Sequence, residues 1–387
     1  MLFRLAMSVV SGLVHYYVYR RVVGVLEPSR RMRWSLAAIV VLLFVSVPLQ
    51  TSARMWAPGF SSVMGWVSGP WLAFVGVAAT YFAILDVLRG GVWLARKALR
   101  RPAPTGAALS RRDFLTRVGG GAAIAVTGAS VGIGMIEARG EHEIVTIEVP
   151  LAKLPKALDG FSIVQLSDLH TGMTIDRAFV QRVVERANAL QPDVIALTGD
   201  LVDGTVENLR DDIAPLAGLR APHGVFAVTG NHEYYAGVDA WIAELTRLGA
   251  RYLRNQRVTI GSGDATFDLA GVDDYSAHDW PGHGEDLGAA TSGRDANRAL
   301  VLLAHQPRQV KNAANHGVDL QLSGHTHGGQ IWPWHYFVKL QQGGLLAGKY
   351  EHRGTQLYVT RGCGYWGPPV RLLAPLEITR VILRSAA

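Results

Sequence analysis

Apolar residues follow two regimes along the chain. Before about residue 140 they come in long runs, at 2–19, 35–49, 63–88 and 118–136. A helix needs roughly 20 such residues to cross about 30 Å of hydrocarbon. The third run has that length, and the second approaches it with Trp34 and Gln50 at its ends. The first, holding His15 and several tyrosines, is the weakest. The fourth is rich in glycine and alanine. The pattern predicts about four apolar spans within residues 1–140.

After 140 the apolar runs shorten and alternate with polar turns. Residues 143–149 alternate as a half-buried strand does. Short apolar runs at 162–166, 194–197, 225–228, 266–271, 302–304, 318–322, 356–360 and 376–383 predict further strands. Residues 176–190, 206–216 and 240–248 read as helices. Strand, polar turn and often helix repeat in that order, which predicts an α/β domain over 141–387. Two packed mixed sheets flanked by helices, a four-layer α/β sandwich, are the expected architecture. A single doubly wound sheet is the alternative.

Charge separates the same two regions. Residues 1–117 hold 15 Arg or Lys against 3 Asp or Glu, and the remainder holds 23 against 28. The sequence pI of about 9.6 therefore belongs to the first third. Its basic residues sit between apolar runs, as in cytoplasmic loops of a membrane protein. A nucleic-acid partner would need them across one folded face, so none is expected. Arg20, Arg21, Arg30, Arg31 and Arg33 lie between the first two runs. Arg89, Arg96, Lys97, Arg100, Arg101, Arg111, Arg112 and Arg117 lie between the last two. With both clusters on the cytoplasmic side, residues beyond about 138 fall on the outer face. Apart from His15 and Asp86 the spans hold few ionisable residues, which argues against a transport pathway.

The run Ser110-Arg111-Arg112-Asp113-Phe114-Leu115, with a glycine- and alanine-rich stretch behind it, resembles a twin-arginine export signal. The resemblance implies the twin-arginine translocation machinery as a partner and a bacterial inner-membrane location. An ordinary basic flank before a membrane helix is the plainer reading. Residues 102–106 read as a flexible linker.

The chemistry gathers at five strand ends. They carry Asp168 and His170, Asp200, Asn231 and His232, His305, and His325 and His327. Any one of these could cap a helix or hold a turn. Together they offer hard oxygen ligands and imidazoles, a set suited to Mn, Fe or Zn ions. In an extended stretch residues i and i+2 face the same way, which would aim Asp168 and His170 at one ion. Gly199, Gly230 and Gly324 precede Asp200, Asn231 and His325, where a missing side chain permits sharp turns in a crowded site.

In this order the blocks Asp168-Leu169-His170, Gly199-Asp200, Gly230-Asn231-His232-Glu233, His305 and Gly324-His325-Thr326-His327 resemble the calcineurin-like metallophosphoesterase superfamily. The resemblance covers about residues 145–382. It implies two divalent metal ions, with Asp168, His170 and His327 on the first, Asn231, His305 and His325 on the second, and Asp200 bridging. His232 would face the substrate as the catalytic residue. The implied reaction is phosphoester hydrolysis, in which two metals about 3.5–4 Å apart supply a bridging hydroxide and neutralise phosphoryl oxygens. Asp273-Asp274 and the run from Gly364 to Pro369 are similar to a membrane-linked bacterial branch that includes UDP-2,3-diacylglucosamine pyrophosphatases of lipid A synthesis. An amphiphilic or envelope phosphodiester or pyrophosphate is the substrate expected for a domain tied to a lipid bilayer. The outer-face orientation competes with the pyrophosphatase expectation, because nucleotide-linked lipid precursors are made on the cytoplasmic side. A non-catalytic metal-binding sensor or scaffold is the alternative of another class.

Other residues carry weaker signals. Glu233 reads either as an orienting carboxylate for its neighbours or as a solvated turn residue. Tyr365 and Trp366 read either as pocket lining or as core. His223, His278 and His283 are expected to be structural or superficial, with His283 in a polar stretch, 276–297, that could lie over the site. Cys363, the single cysteine, excludes an intrachain disulfide and reads as a buried spectator.

Overall fold

The computed structural model describes residues 2–53, 57–100 and 107–386. They divide into two units, one of Met1–Ile136 with Pro368–Val370 and one of Glu137–Gly367 with Arg371–Ala387.

The first unit is built from helices α1 (Leu2–Leu26), α2 (Arg30–Ala53), α3 (Pro58–Ala98) and most of α4 (Ala107–Arg139). Among the described residues, three helical segments are long and apolar enough to cross a membrane: Arg30–Ala53, Gly59–Ala98 and Asp113–Arg139. α1, diluted by His15 and three tyrosines, is not among them. Leu42 and Val87 point outward from the helices, the arrangement expected where hydrocarbon is the solvent. The two ionisable residues singled out in the apolar runs are partnered. His15 lies 2.7 Å from the Ser11 carbonyl and accepts from the Trp71 indole. Asp86 accepts from Tyr17 and pairs with Arg21. The predicted linker 102–106 lies outside the described residues. Arg111 and Arg112 fall in α4, with their side chains outside the described part.

The second unit runs β1 (Glu143–Leu151), β2 (Ser162–Leu166), α5 (Arg177–Ala189), β3 (Val194–Leu197), α6 (Val206–Ile213), β4 (Val225–Ala227), α7 (Asn231–Ala236), α8 (Val238–Arg247) and β5 (Ala250–Tyr252). It continues through β6 (Gln256–Ser262), β7 (Ala265–Gly271), α9 (Leu287–Thr291), β8 (Leu300–Leu303), α10 (Val310–Asn315), β9 (Leu320–Ser323), α11 (His335–Gln341), β10 (Gly348–His352), β11 (Thr355–Val359) and β12 (Glu377–Ser385). The strands form two six-stranded mixed sheets, ordered β1-β12-β2-β3-β4-β5 and β10-β11-β9-β8-β7-β6. The expected pair of sheets is therefore present, and the single doubly wound sheet is excluded.

Alternation along the strands builds the layers. In β3, Val194 and Ala196 face the second sheet, and Ile195 and Leu197 face the helices. Ile163, Val194, Phe226, Phe267, Val301 and Leu322 fill the space between the sheets. Helices α5, α6 and α8 cover the outer face of the first sheet, and α9 and α10 cover that of the second. α5 begins where Asp176 caps it by accepting from Phe179 N at 3.0 Å. Its buried face repeats as Phe179, Val180, Val183, Val184 and Ala187, a helical period. The helix predicted over 206–216 ends at Ile213, and Ala214–Gly218, with Pro215 at its start, is a tighter 3₁₀ turn.

Candidate metal centre

Strands β2, β3 and β4 run parallel in the first sheet, and β8 and β9 run parallel in the second. Their carboxyl ends open side by side, the usual site-bearing end of such sheets. The Gln165 amide ties the two sheets beneath this edge, donating to Thr198 Oγ1 and to the Ser323 carbonyl. Five loops leave the edge carrying all eight residues picked out by spacing.

The loops bring donor atoms together in three overlapping groups, each within 4.8 Å. They are Asp168 with His170 and His327, His170 with Asp200 and His232, and Asp200 with His305 and His325. Asp200 Oδ2 stands 3.1 Å from His305 Nε2 and 3.7 Å from His170 Nε2. His170 Nε2 and His327 Nε2 are 3.0 Å apart, and His325 Nδ1 is 3.3 Å from His305 Nε2. Asn231 opens α7 beside Asp200, whose Oδ1 accepts from His232 N at 2.8 Å.

The convergence is not reached through extended backbone. Asp168, His170, Asp200, His325 and His327 all have φ between 52° and 72°, a region that non-glycine residues seldom occupy. Asp168 and His170 therefore do not reach one ion by extended-chain alternation, as their spacing predicts. Left-handed kinks, not strand alternation, turn these side chains inward. Such strain gathers where the surroundings over-determine it. The glycines fit that crowding. A Cβ on Gly199 would lie 2.5 Å from Gly230 N and 2.9 Å from His305 Nδ1, and one on Gly324 would collide with Asp168 Oδ2.

Supporting groups fix the rings. The Thr198 carbonyl can only accept, so His305 Nδ1 donates to it at 2.8 Å and Nε2 faces the cluster. Asp203 lies 2.8 Å from His170 Nδ1 and 2.6 Å from His232 Nδ1. One carboxylate thus orients two histidines and leaves both Nε2 atoms facing away from it. Asp203 did not emerge from the sequence reading, although its place three residues after Asp200 was a usable signal. Arg371 was missed as well. It is fully buried, donates to the carbonyls of Gly364, Ala374 and Arg361, and lies 3.3 Å from His327 Nδ1.

Several ambiguous residues now have defined places. Glu233 is buried and accepts from the backbone N–H of Asp200, Leu201 and Gly230. It braces two loops and is not a solvated turn residue. Tyr365 is buried and donates to the Thr174 carbonyl, whereas Trp366 is exposed with its ring 5.9 Å from that of His232. Cys363 is buried, and burial pushes its thiol up to about 12. His283 receives the Arg254 guanidinium at 2.7 Å, His278 is exposed, and His223 packs on Phe161. None of these three faces the cluster. Within 276–297, Trp280 packs against Tyr234 and Tyr235 on α7, and α9 covers the second sheet.

The electrostatics show an environment built around positive charge. Burial raises the Asp168 carboxyl above its usual range. Burial works the same way on Asp200, but His305 and His232 outweigh it and hold Asp200 well below. Burial also opposes the charged form of His232. Asp200 and Asp203 overcome that and push its pKa up to about 9. His305 is likewise raised against burial, chiefly by Asp200. Burial, then His305, brings His325 down to about 3, and burial with His170 lowers His327. Protons on His232 and His305 thus balance carboxylates that a cation could balance instead. Two acceptors test the fit directly. Among the described residues neither Asp168 Oδ2 nor Asn231 Oδ1, both buried, has a hydrogen-bond partner. Orphaned buried oxygens are costly unless something electropositive meets them, so the residues present suit divalent cations.

Comparison with known proteins agrees with this geometry. The Calcineurin-like phosphoesterase family profile matches residues 161–329. A Danio rerio "Transmembrane protein with metallophosphoesterase domain" is 38% identical over 275 residues, covering 68% of this chain and 62% of that protein. An uncharacterised metallophosphoesterase of Helicobacter pylori is 40% identical over 247 residues, covering 63% and 65%. One of Bacillus subtilis is 32% identical over 287 residues, covering 72% and 98%. The match therefore spans less than two thirds of the first two relatives and nearly all of the third.

Proposed function

We propose that this chain, which belongs to the calcineurin-like phosphoesterase family, is a metal-dependent phosphoesterase associated with a membrane and hydrolyses an amphiphilic phosphodiester or pyrophosphate at the bilayer surface. The observation that carries the reading is the convergence of Asp168, His170, Asp200, His305, His325 and His327 around orphaned buried oxygens on Asp168 and Asn231.

Two divalent cations suit this set. Asp168, His170 and His327 would hold the first, Asn231, His305 and His325 would hold the second, and Asp200 would serve both. When bound, such ions polarise phosphoryl oxygens and lower the pKa of water. The chain's own residues do the rest. Asp203 accepts from His232 Nδ1, and in the protonated ring Nε2 carries the second proton toward the substrate, as general acid or as donor to the phosphoryl group. The His232 pKa, raised by Asp200 and Asp203, would fall toward the working range of a general acid once those carboxylates were neutralised. Glu233 keeps the Asp200 and Asn231 loops in register. Trp366 and Tyr235 flank His232 and offer apolar faces to a substrate's non-phosphate part.

The substrate class follows from attachment. A domain tied to a bilayer meets lipid headgroups at high effective concentration. The basic stretch before the span Asp113–Arg139 favours the cytoplasmic side, which puts the catalytic domain on the outer face of a bacterial inner membrane. That orientation depends on the last span alone and not on whether α1 also crosses. Metal analysis combined with hydrolysis of lipid, nucleotide and chromogenic diesters tests the assignment. Turnover confined to soluble nucleotides would defeat the amphiphile reading, and protease protection of the domain in spheroplasts would defeat the outer-face orientation. Cleavage of UDP-2,3-diacylglucosamine with a protected domain would favour the lipid A alternative.

A further inference from the structure

The catalytic unit buries its large apolar side chains almost everywhere. Apart from Tyr235 and Tyr275, the exposed ones sit in one region. Helix α11 exposes Tyr336, Phe337 and Leu340, the last at 80%, and the loop after Trp366 exposes Leu373 at 74%. Single exposed apolar residues are ordinary, but contiguous ones mark an interaction surface.

These residues belong to one connected rim. Gln330 accepts from Trp366 N and donates to the Trp366 carbonyl. Leu372 N donates to the Gln330 carbonyl, and Trp332 N donates to the Leu372 carbonyl. The segment leading into α11 is thereby paired with the loop carrying Leu373. The rim also reaches the metal centre. A Cβ on Gly329 would collide with His335 at the start of α11, so the helix is seated directly on the turn that holds His327.

Charge separates this region from the rest of its unit. The two stretches that form the rim, 330–346 and 362–376, hold no acidic residue, and their cations are Lys339 on α11 and the buried Arg371. The surrounding unit is acidic overall. Tyr, Phe and Leu beside lysine, with acids excluded, is the composition of a segment lying at a lipid–water boundary. Tethering is short as well. The candidate span Asp113–Arg139 ends where Ala138 is buried in the catalytic core and Arg139 donates to the Thr174 carbonyl, and β1 starts at Glu143. Residues 140–142 alone separate α4 from β1.

We propose that the rim formed by α11 and the Leu373 loop inserts into the headgroup region of the bilayer that anchors the chain, and presents the metal centre to lipid phosphates there. Lipid insertion stands apart from the identity of the substrate, while presentation of lipid phosphates rests on the amphiphile reading above.

The test uses the full chain in nanodiscs of phosphatidylcholine and phosphatidylglycerol. Nitroxide labels go on Leu340→Cys, Leu373→Cys and a control, Arg353→Cys; the buried Cys363 leaves the introduced thiol as the accessible one. Power saturation should show labels at 340 and 373 favouring oxygen over a water-soluble nickel reagent by at least about threefold relative to 353. Equal accessibility at all three positions would overturn insertion. Protection at 340 from both reagents, with dipolar broadening between labels, would assign the rim to a second copy and overturn it too. The variant Phe337→Ser/Leu340→Ser/Leu373→Ser should keep hydrolysis of a soluble chromogenic diester within twofold and lose at least about tenfold on a bilayer-embedded diester. Lipid-exposed labels without any lipid turnover by the parent chain would leave insertion standing and sink the substrate reading.

Discussion

On the first-sheet flank of the metal centre, His170 donates its Nδ1 proton to the Asp203 carboxylate; on the second-sheet flank, His305 donates its Nδ1 proton to the Thr198 carbonyl. The residue types are the same and the supports differ. A carboxylate partner makes an imidazole a more basic ligand than a carbonyl does. The first flank is also shared, since Asp203 holds His232 too. On the proposed assignment, metal retention and proton transfer would be linked on one side and separate on the other. Asp200 reaches both sides, through His170 and His305.

Asp200→Asn should erase the distinction altogether. It removes the charge common to both flanks, and hydrolysis of a chromogenic diester should drop to background with metal content falling at both positions. Near-normal turnover would falsify its central place. His232→Ala should keep the metals and lower turnover by roughly 10²–10⁴-fold, the usual span for a lost general acid; metal loss in this variant would instead make His232 a ligand. Asp203→Asn sharpens the comparison most directly. It should weaken metal binding about 10–100-fold on the His170 side alone, and it should shift the pH–rate profile through His232. Equal weakening of both metal positions would show that the two supports do not differ.

The smallest effect concerns what lies behind the first flank. His142 Nε2 donates to the Cys363 carbonyl at 2.8 Å, and Cys363 N donates to the Ser167 carbonyl next to Asp168. Burial brings the His142 pKa down to about 4. The unfolded chain, with a value near 6.5, therefore binds more protons between pH 4 and 6.5, so stability rises with pH across that window. The contribution is complete above about 6.5 and is lost as pH falls toward 4, on the order of 3 kcal/mol in all. His142→Gln should flatten this acid limb relative to the parent when denaturant midpoints are compared at pH 4.5 and 7. Parallel curves for the two proteins would remove His142 from the account.

Much of this protein could be read before any fold was known, and the reasons are physical. Period-two alternation and short apolar runs located β2 and β3 to the residue, because strands buried on both faces leave an unmistakable apolar block. The candidate cluster was legible because each of its residues follows a strand, and strand ends bring distant segments together. β5, β6, β10 and α11 were not anticipated. The first is only three residues long, and the others carry polar or mixed patterns with little periodicity.

Other features exist only in three dimensions. Asp203 orients two imidazoles from separate strands, Arg371 reaches His327 from a loop 44 residues away, and Glu233 braces a neighbouring loop. No local pattern encodes such contacts, since hydrogen-bond partners are chosen by packing. The inward turn of the cluster likewise depends on left-handed backbone at Asp168, His170, Asp200, His325 and His327, a strain that the assembled sheets sustain. Residue chemistry, order and membrane attachment were determined by the sequence alone. Ring orientation, proton placement and the exposed rim beside the centre were decided by tertiary structure, because each depends on which groups are denied water and which are left facing it.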